Sequence, residues 1–213
     1  MAANDIKFPG GVDVTGDLIV RGNISPAIER SSLLQYNAQV YQIPLTSAKV
    51  WDDAQTNLPG TAATDDLEIN TGTWGTNVPS IQTGDLKAAG ATTRYALFEV
   101  ATPPEYVAGQ TVTLRASAGM LTTVADTSAT IDFEAYITDR EGLVSGSDLV
   151  STAATTINSL TFASSIDFTL TPTTIDPGQK ILIRMAIAVN DAASGTAVIG
   201  SVGALELLLD TQG

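Results

Sequence analysis

The sequence predicts an all-β protein, an antiparallel β-sandwich or jelly roll preceded by an extended N-terminal β arm. Three observations carry that prediction. Apolar and polar residues alternate along several stretches, the period of a strand with one buried face. Clusters of Gly, Pro, Asp and Thr punctuate the chain at regular spacing, as they do in sandwiches and barrels. Thr, Ala, Ser, Val and Gly dominate the composition, and recognisable helical stretches are scarce.

The arm comes first. Met1 to Pro9 is rich in Ala, Asn, Asp and Lys, and Pro9-Gly10-Gly11 breaks the chain before a regular stretch begins. From there Val12, Val14, Gly16, Leu18, Val20, Gly22 and Ile24 form one row of apolar residues and glycines. Asp13, Thr15, Asp17, Arg21 and Asn23 form the opposite, polar row, with Ile19 the one exception. Within this stretch Val14-Thr-Gly-Asp-Leu-Ile and Val20-Arg-Gly-Asn-Ile-Ser repeat one pattern. Glycine followed by Asp or Asn is turn chemistry, because these residues tolerate positive φ. Two such units cannot enclose a core, since repeats need neighbours to bury their apolar edge. The row is therefore either the first hairpin of the main domain or an oligomerisation segment in which identical chains wind around a shared axis.

The string from Val12 to Ile24 resembles segments that recur in bacteriophage fibres, spikes and head-decorating proteins, often trimeric ones. That resemblance implies a homotrimer and a place in a virion.

Ser25-Pro26 reads as a helical turn with Ser25 as cap and Pro26 at its first position. Gln39 to Leu45 reads as a strand entering the body. Lys49-Val-Trp-Asp-Asp53 then leads into an irregular tract over 54–93, with apolar islands at Leu67, Ile69, Trp74, Val78 and Ile81. A loop that long inside a domain is usually functional or anchored to a neighbour. Regular strands follow over Arg94–Val100, Val112–Ala116, Ala129–Ile137, Asp148–Thr152, Ser165–Leu170, Ile181–Val189 and Ala197–Leu209. In Ala129–Ile137, Ile131, Phe133, Ala135 and Ile137 face inward, against Asp132, Glu134 and Tyr136. Two corners echo each other: Gly109-Gln110 and Gly178-Gln179 each precede apolar-x-apolar-Arg. The expected organisation is an arm over 1–24, a connecting segment and long loop over 25–93, and a jelly-roll body over 94–213. Pro103-Pro104 and Asp176-Pro-Gly178 ahead of long strands resemble the jelly-roll proteins of phage heads.

Of the 213 residues, 44% are hydrophobic and 15% charged, so the chain is expected to fold and to hide surface in contacts with other subunits. The net charge is −13, with 23 acidic residues and 10 basic ones scattered singly. Nucleic-acid binding needs clustered Lys and Arg to neutralise phosphates, so no nucleic-acid partner is expected. No apolar run approaches a membrane span or a signal-peptide core, so neither a membrane partner nor export is expected.

The sequence has no His and no Cys. That removes the usual general base, thiol nucleophile and transition-metal ligands. Carboxylate pairs remain at Asp52-Asp53, Asp65-Asp66, Asp132/Glu134 and Asp139/Glu141, in turns or on outward rows where solvation accounts for them. Asp65-Asp66 with Glu68 suggests calcium, but the acidic loop lacks the Asp-x-Asp-x-Asp-Gly spacing, and a solvated turn is the better reading. No cofactor, metal or enzymatic activity is expected. Trp51 and Trp74 flank the long loop; exposed rings there could stack on sugars, but such a ring more often plugs a subunit contact or its own core.

The expected function is a capsid decoration (cement) protein, trimeric, bound to the major capsid protein on the outer surface of a phage head. Its assembly interface would comprise Val12, Val14, Leu18, Val20, Ile24, Trp51 and Trp74. A receptor-binding fibre or spike head is the alternative, and a carbohydrate-binding module a third.

Overall fold

A computed structural model of the chain describes residues 36–87, 90–122, 128–138, 144–162, 165–191 and 196–212. The arm over 1–24, with Val12, Val14, Leu18, Val20 and Ile24, lies outside these residues, as do the Ser25-Pro26 turn and the pair Asp139/Glu141.

The strands in chain order are β1 (Tyr36–Gln42), β2 (Lys49–Val50), β3 (Asp53–Asn57), β4 (Glu68–Asn70), β5 (Ser80–Gln82), β6 (Ala91–Ala101), β7 (Val112–Thr122), β8 (Ser128–Thr138), β9 (Val144–Ser145), β10 (Thr155–Thr156), β11 (Ile166–Leu170), β12 (Lys180–Asn190) and β13 (Ile199–Gln212). They make two antiparallel sheets, so the chain forms the expected β-sandwich. The first sheet runs β11-β7-β13-β5-β4, with β1 and β5 sharing the far edge of β13. The second runs β10-β8-β12-β6-β2-β3, with β9 beside β10 along β8. The long strands switch sheets in turn: β6, β8 and β12 belong to the second, β7, β11 and β13 to the first.

Alternation sets which face is buried. On β8, Ala129, Ile131, Phe133, Ala135 and Ile137 are buried, while Asp132, Glu134 and Tyr136 lie outward. On β12 the inward row is Ile181, Ile183, Met185, Ile187 and Val189. Large residues face small ones across the ladder only in part: Ile183 pairs with Ala135, but Met185 pairs with Phe133. Phe133 then reaches across the sandwich to Phe168 of β11, with ring centroids 4.7 Å apart and an edge-on angle of 70°. Such pairs add attraction beyond the area they bury.

β13 carries an irregularity in its pairing with β7 between Val202 and Ala204. The extra residue is Gly203, and it moves the inward side from Val202 to Leu205, Leu207 and Leu209. The two echoed corners are turns, with Gly109 at φ +81° and Gly178 at φ +73°, a region glycine enters without steric penalty. Buried Thr102 fixes the second corner: its hydroxyl donates to the Asp176 carbonyl at 2.7 Å and accepts from the Gln179 amide at 3.0 Å.

Two sequence readings need correction. The strand expected from Gln39 is β1, but the tract 54–93, expected to be irregular, contributes most of β3 and all of β4 and β5 to the two sheets. The inward residues over 36–93 include Ile43, Leu58, Leu67 and Ile81, all in the same core as the later strands. β2 to β5 are too short for a period to show, and the pairing of β5 with β13 and of β2 with β6 is long-range. The strand expected at Asp148–Thr152 is only a bridge from Val150 to Leu170. There the Asp148 carboxylate accepts from the amides of Ala135 at 2.9 Å and Val150 at 3.0 Å, beside backbone bonds from Leu149 to Ala135 and from Ser151 to Thr169, so the segment is pinned between β8 and β11 by side chain and backbone together.

The inter-sheet contact gives a direct check. Replacing Phe168 with Ala should cost about 3–5 kcal/mol, read from the denaturation midpoint. Replacing Thr113, on the outward row of β7, should change stability by less than about 0.5 kcal/mol. Equal effects would contradict the assignment of inner and outer rows.

Candidate functional site: an aromatic ridge and an exposed tryptophan loop

The outer face of the second sheet carries a cluster of charged and aromatic side chains. β-Register places Arg184 of β12 between Glu134 of β8 and Leu97 of β6, and Ala186 beside Tyr95. Arg184 Nη2 donates to Glu134 Oε1 at 2.6 Å. Its guanidinium carbon lies 4.9 Å from the Tyr95 ring and 5.2 Å from the Trp51 ring. The two rings are 5.2 Å apart at 48°. The Trp51 indole N–H donates to Asp65 Oδ2 at 3.0 Å. The backbone of Asp65 accepts from the Tyr95 amide at 2.7 Å, and the Tyr95 carbonyl accepts from the Leu67 amide at 2.9 Å.

These contacts define what the ridge does. Trp51 sits between β2 and β3, and Asp65 sits in the loop that leads to β4, so the cluster ties both segments onto β6 and β12. Arg184 already has a carboxylate and two ring faces as partners. The arrangement is a latch.

The acidic turn has the same character. Glu68 Oε2 accepts from the Ala62 amide at 2.7 Å, and Asp65 is engaged by Trp51. Among the described residues no three acidic side chains converge on a point where a cation would sit. Asp66 is the exception to easy solvation. Burial raises its pKa above the ordinary carboxylate value, Asp65 and Asp52 raise it further, and Arg94 opposes them. One Asp66 oxygen is enclosed without a hydrogen-bond partner. Asp53 accepts from the Thr56 hydroxyl at 2.7 Å, and Asp132 from the Phe133 amide at 2.9 Å, so each closes local backbone.

Trp74 differs from Trp51 in its surroundings. It lies in the loop 71–79 between β4 and β5, and its side chain is 100% exposed. It therefore plugs no part of its own core. The loop is nevertheless tied: Asn70 Oδ1 accepts from the Gly72 amide at 2.8 Å, and the Thr73 carbonyl accepts from both Thr76 and Asn77 amides at 2.9 Å. Gly72 at φ +65° is required, since a Cβ there would also meet Asn77 Cβ at 2.8 Å. The closed loop frames an open concavity of about 710 Å³ lined by Thr71, Trp74, Thr76, Asn77, Val78 and Pro79.

Sequence reasoning singled out both tryptophans but missed Tyr95 and Arg184 as partners of Trp51. The available signal was Arg184 itself, a charge inside the apolar run 181–189 at an outward position.

No protein-family model matches the sequence, and no curated protein matches it. Among solved structures, the chain is similar to TmCBM61 in complex with β-1,4-galactotriose, at 7% identity and a TM-score of 0.40 over 81% of this chain and 88% of that one. It is similar to the C-terminal family 22 carbohydrate-binding module of Clostridium thermocellum Xyn10B, at 12% identity and a TM-score of 0.39 over 79% and 91% of the two chains. It is also similar to a chain of infectious bursal disease virus, Gx strain, at 15% identity and a TM-score of 0.36 over 83% and 32%. These likenesses concern strand arrangement alone.

Two measurements check the latch. Arg184→Ala should lower stability by about 1–2 kcal/mol, the sum of half-exposed ring and carboxylate contacts. Asp66→Asn should raise the melting temperature at neutral pH. The folded state holds that proton more tightly than the unfolded chain does. Both states are protonated below the ordinary value of 3.8, and stability falls as pH rises through it toward the folded value. The gain from Asp66→Asn should therefore vanish near about pH 3. A gain that persists there would assign it to packing.

Proposed function

We propose that this chain is a non-catalytic structural protein of a bacteriophage particle. In this reading it decorates the outer face of the head as a homotrimer and binds the major capsid protein. The observation that carries the reading is a division of labour along the chain. The body closes its own core with residues from Ile43 to Leu209. Among the described residues its exposed large apolar side chains are Val40, Leu121, Val144 and Leu160, on separate strands and loops, and Trp74 and Val78, which share the loop 71–79. In this reading the arm's apolar row, Val12, Val14, Leu18, Val20 and Ile24, is covered from outside its own chain. Other copies of the same row are its natural cover. Multivalent contact through such an assembly slows the loss of any one copy without a single strong site.

Charge fits the outer face. At −13 the subunit would meet like-charge repulsion beside packaged genome, whereas outside the shell the same charge keeps particles apart. The reading needs no cofactor, nucleic acid or membrane. One observation favours a second reading, a receptor-binding fibre or spike head: a fully exposed Trp74 in a closed loop suits adhesion.

Replacing Leu18 and Val20 with Asp places charge on the shared row. Native mass should fall toward that of a monomer while the far-UV spectrum stays β-rich, because the body has its own core. An unchanged mass would return the row to its own chain. Deleting residues 1–24 should reduce the copies retained on particles and lower the temperature at which they release DNA. Particles that lack the protein, remain equally robust and fail to adsorb to host cells would support the adhesion reading instead.

A further inference from the structure

We infer that the loop 71–79 is a binding site for uncharged carbohydrate, with the Trp74 ring as its platform. Among the described side chains Trp74 is the only exposed aromatic. A ring left wholly in water within a closed loop is available for contact without rearrangement. The loop is already fixed by the two amides on the Thr73 carbonyl and by Asn70 on Gly72, so little ordering remains to oppose binding.

The lining identifies the chemistry of the occupant. A pyranose presents a face of C–H groups and a rim of hydroxyls. An indole face takes the first, and small neutral polar side chains take the second. Around Trp74 stand Thr71, Thr76 and Asn77, with Val78 and Pro79 completing an open concavity of about 710 Å³. None of the side chains of Thr71, Thr76 or Asn77 is engaged with another described residue. They can therefore exchange water for sugar hydroxyls. A purely apolar occupant, such as a lipid chain, would cover these polar groups without satisfying them, which is unfavourable.

Charge narrows the class further. From Ile69 to Gly84 the sequence has no Asp, Glu, Lys or Arg, in a chain whose net charge is −13. An acidic glycan would find no cation in the loop and a repulsive protein behind it. A neutral hexose oligosaccharide meets neither obstacle. The inference goes beyond the virion reading and does not depend on it, since the site lies wholly within one body.

The test uses the isolated full chain, its Trp74→Ala and Trp74→Phe variants, and a panel of short oligosaccharides of glucose, galactose, mannose and N-acetylglucosamine. Sialylated and sulfated glycans and phosphatidylcholine vesicles serve as the other arms. At least one neutral oligosaccharide should bind, and Trp74→Ala should weaken it about tenfold or more. Trp74→Phe should retain part of the binding, and all three proteins should melt at the same temperature. Four results would each overturn the inference. No neutral oligosaccharide binds at millimolar concentration, or binding survives Trp74→Ala undiminished. The charged glycans or the vesicles bind in preference to the neutral sugars. Trp74→Ala lowers the native mass, which would make the loop a contact between copies.

Discussion

The structure depends on the need of two long central strands to be covered on their inner faces. β12 lies between β8 and β6, and β13 between β7 and the pair β1 and β5, so each has its hydrogen bonds satisfied on both edges. What remains is the apolar row each turns inward, from Ile181 to Val189 and from Leu205 to Leu209. Burial at roughly 25 cal/mol per Å² of apolar surface makes the opposing sheet the only economical cover. Phe133 and Phe168 meet at that interface. The remaining segments are fastened to this frame by side chains: Asp148 holds the turn before β10, Thr102 the corner before β12, and Trp51 the start of β3.

That hierarchy explains how much could be read from the sequence. β7, β8, β11, β12 and β13 carry their buried face as a local period, and their positions follow from alternation and flanking turns, whereas β6 buries Ala96, Leu97 and Phe98 in succession. β2 to β5 carry no such period, because each has from two to five residues and draws its position from a distant partner. Asp148 reads as the start of a strand until its carboxylate is seen bonding two amides. Trp51 and Trp74 look alike in sequence, each isolated beside turn residues. Only the fold separates a ring held by Asp65, Tyr95 and Arg184 from one held by nothing. Pairings that decide such differences join residues far apart in the chain, where no spacing rule reaches.

Electrostatics extends the same division from structure to surface. The described basic residues of the body are each engaged: Arg115 with Asp167 at 2.7 Å, Lys180 with Glu99 at 2.6 Å, Arg184 with Glu134 at 2.6 Å and Lys87 with Asp85 at 3.6 Å. Lys49 donates to Asn57 at 2.5 Å, and Arg94 to the Thr83 carbonyl. Arg115 holds the Asp167 carboxyl below the ordinary value, while two backbone amides do the same for Asp85. The cations fasten strands and loops, while Asp65, Glu68 and Asp148 are held by N–H donors and Asp191 is buried. Against that background the uncharged loop around Trp74 stands apart as a place where contact costs no charge desolvation.

In the proposed function an autonomous sandwich is displayed by an arm that joins copies of itself on a shell. Cryo-electron microscopy of purified particles, with the body located by a bound antibody fragment, tests it most directly. Threefold groups of body-sized density should then be distributed over the outer face of the head, each gathered around the position of the arms. Density confined to a tail tip or to vertices, or single bodies without a shared axis, would contradict it.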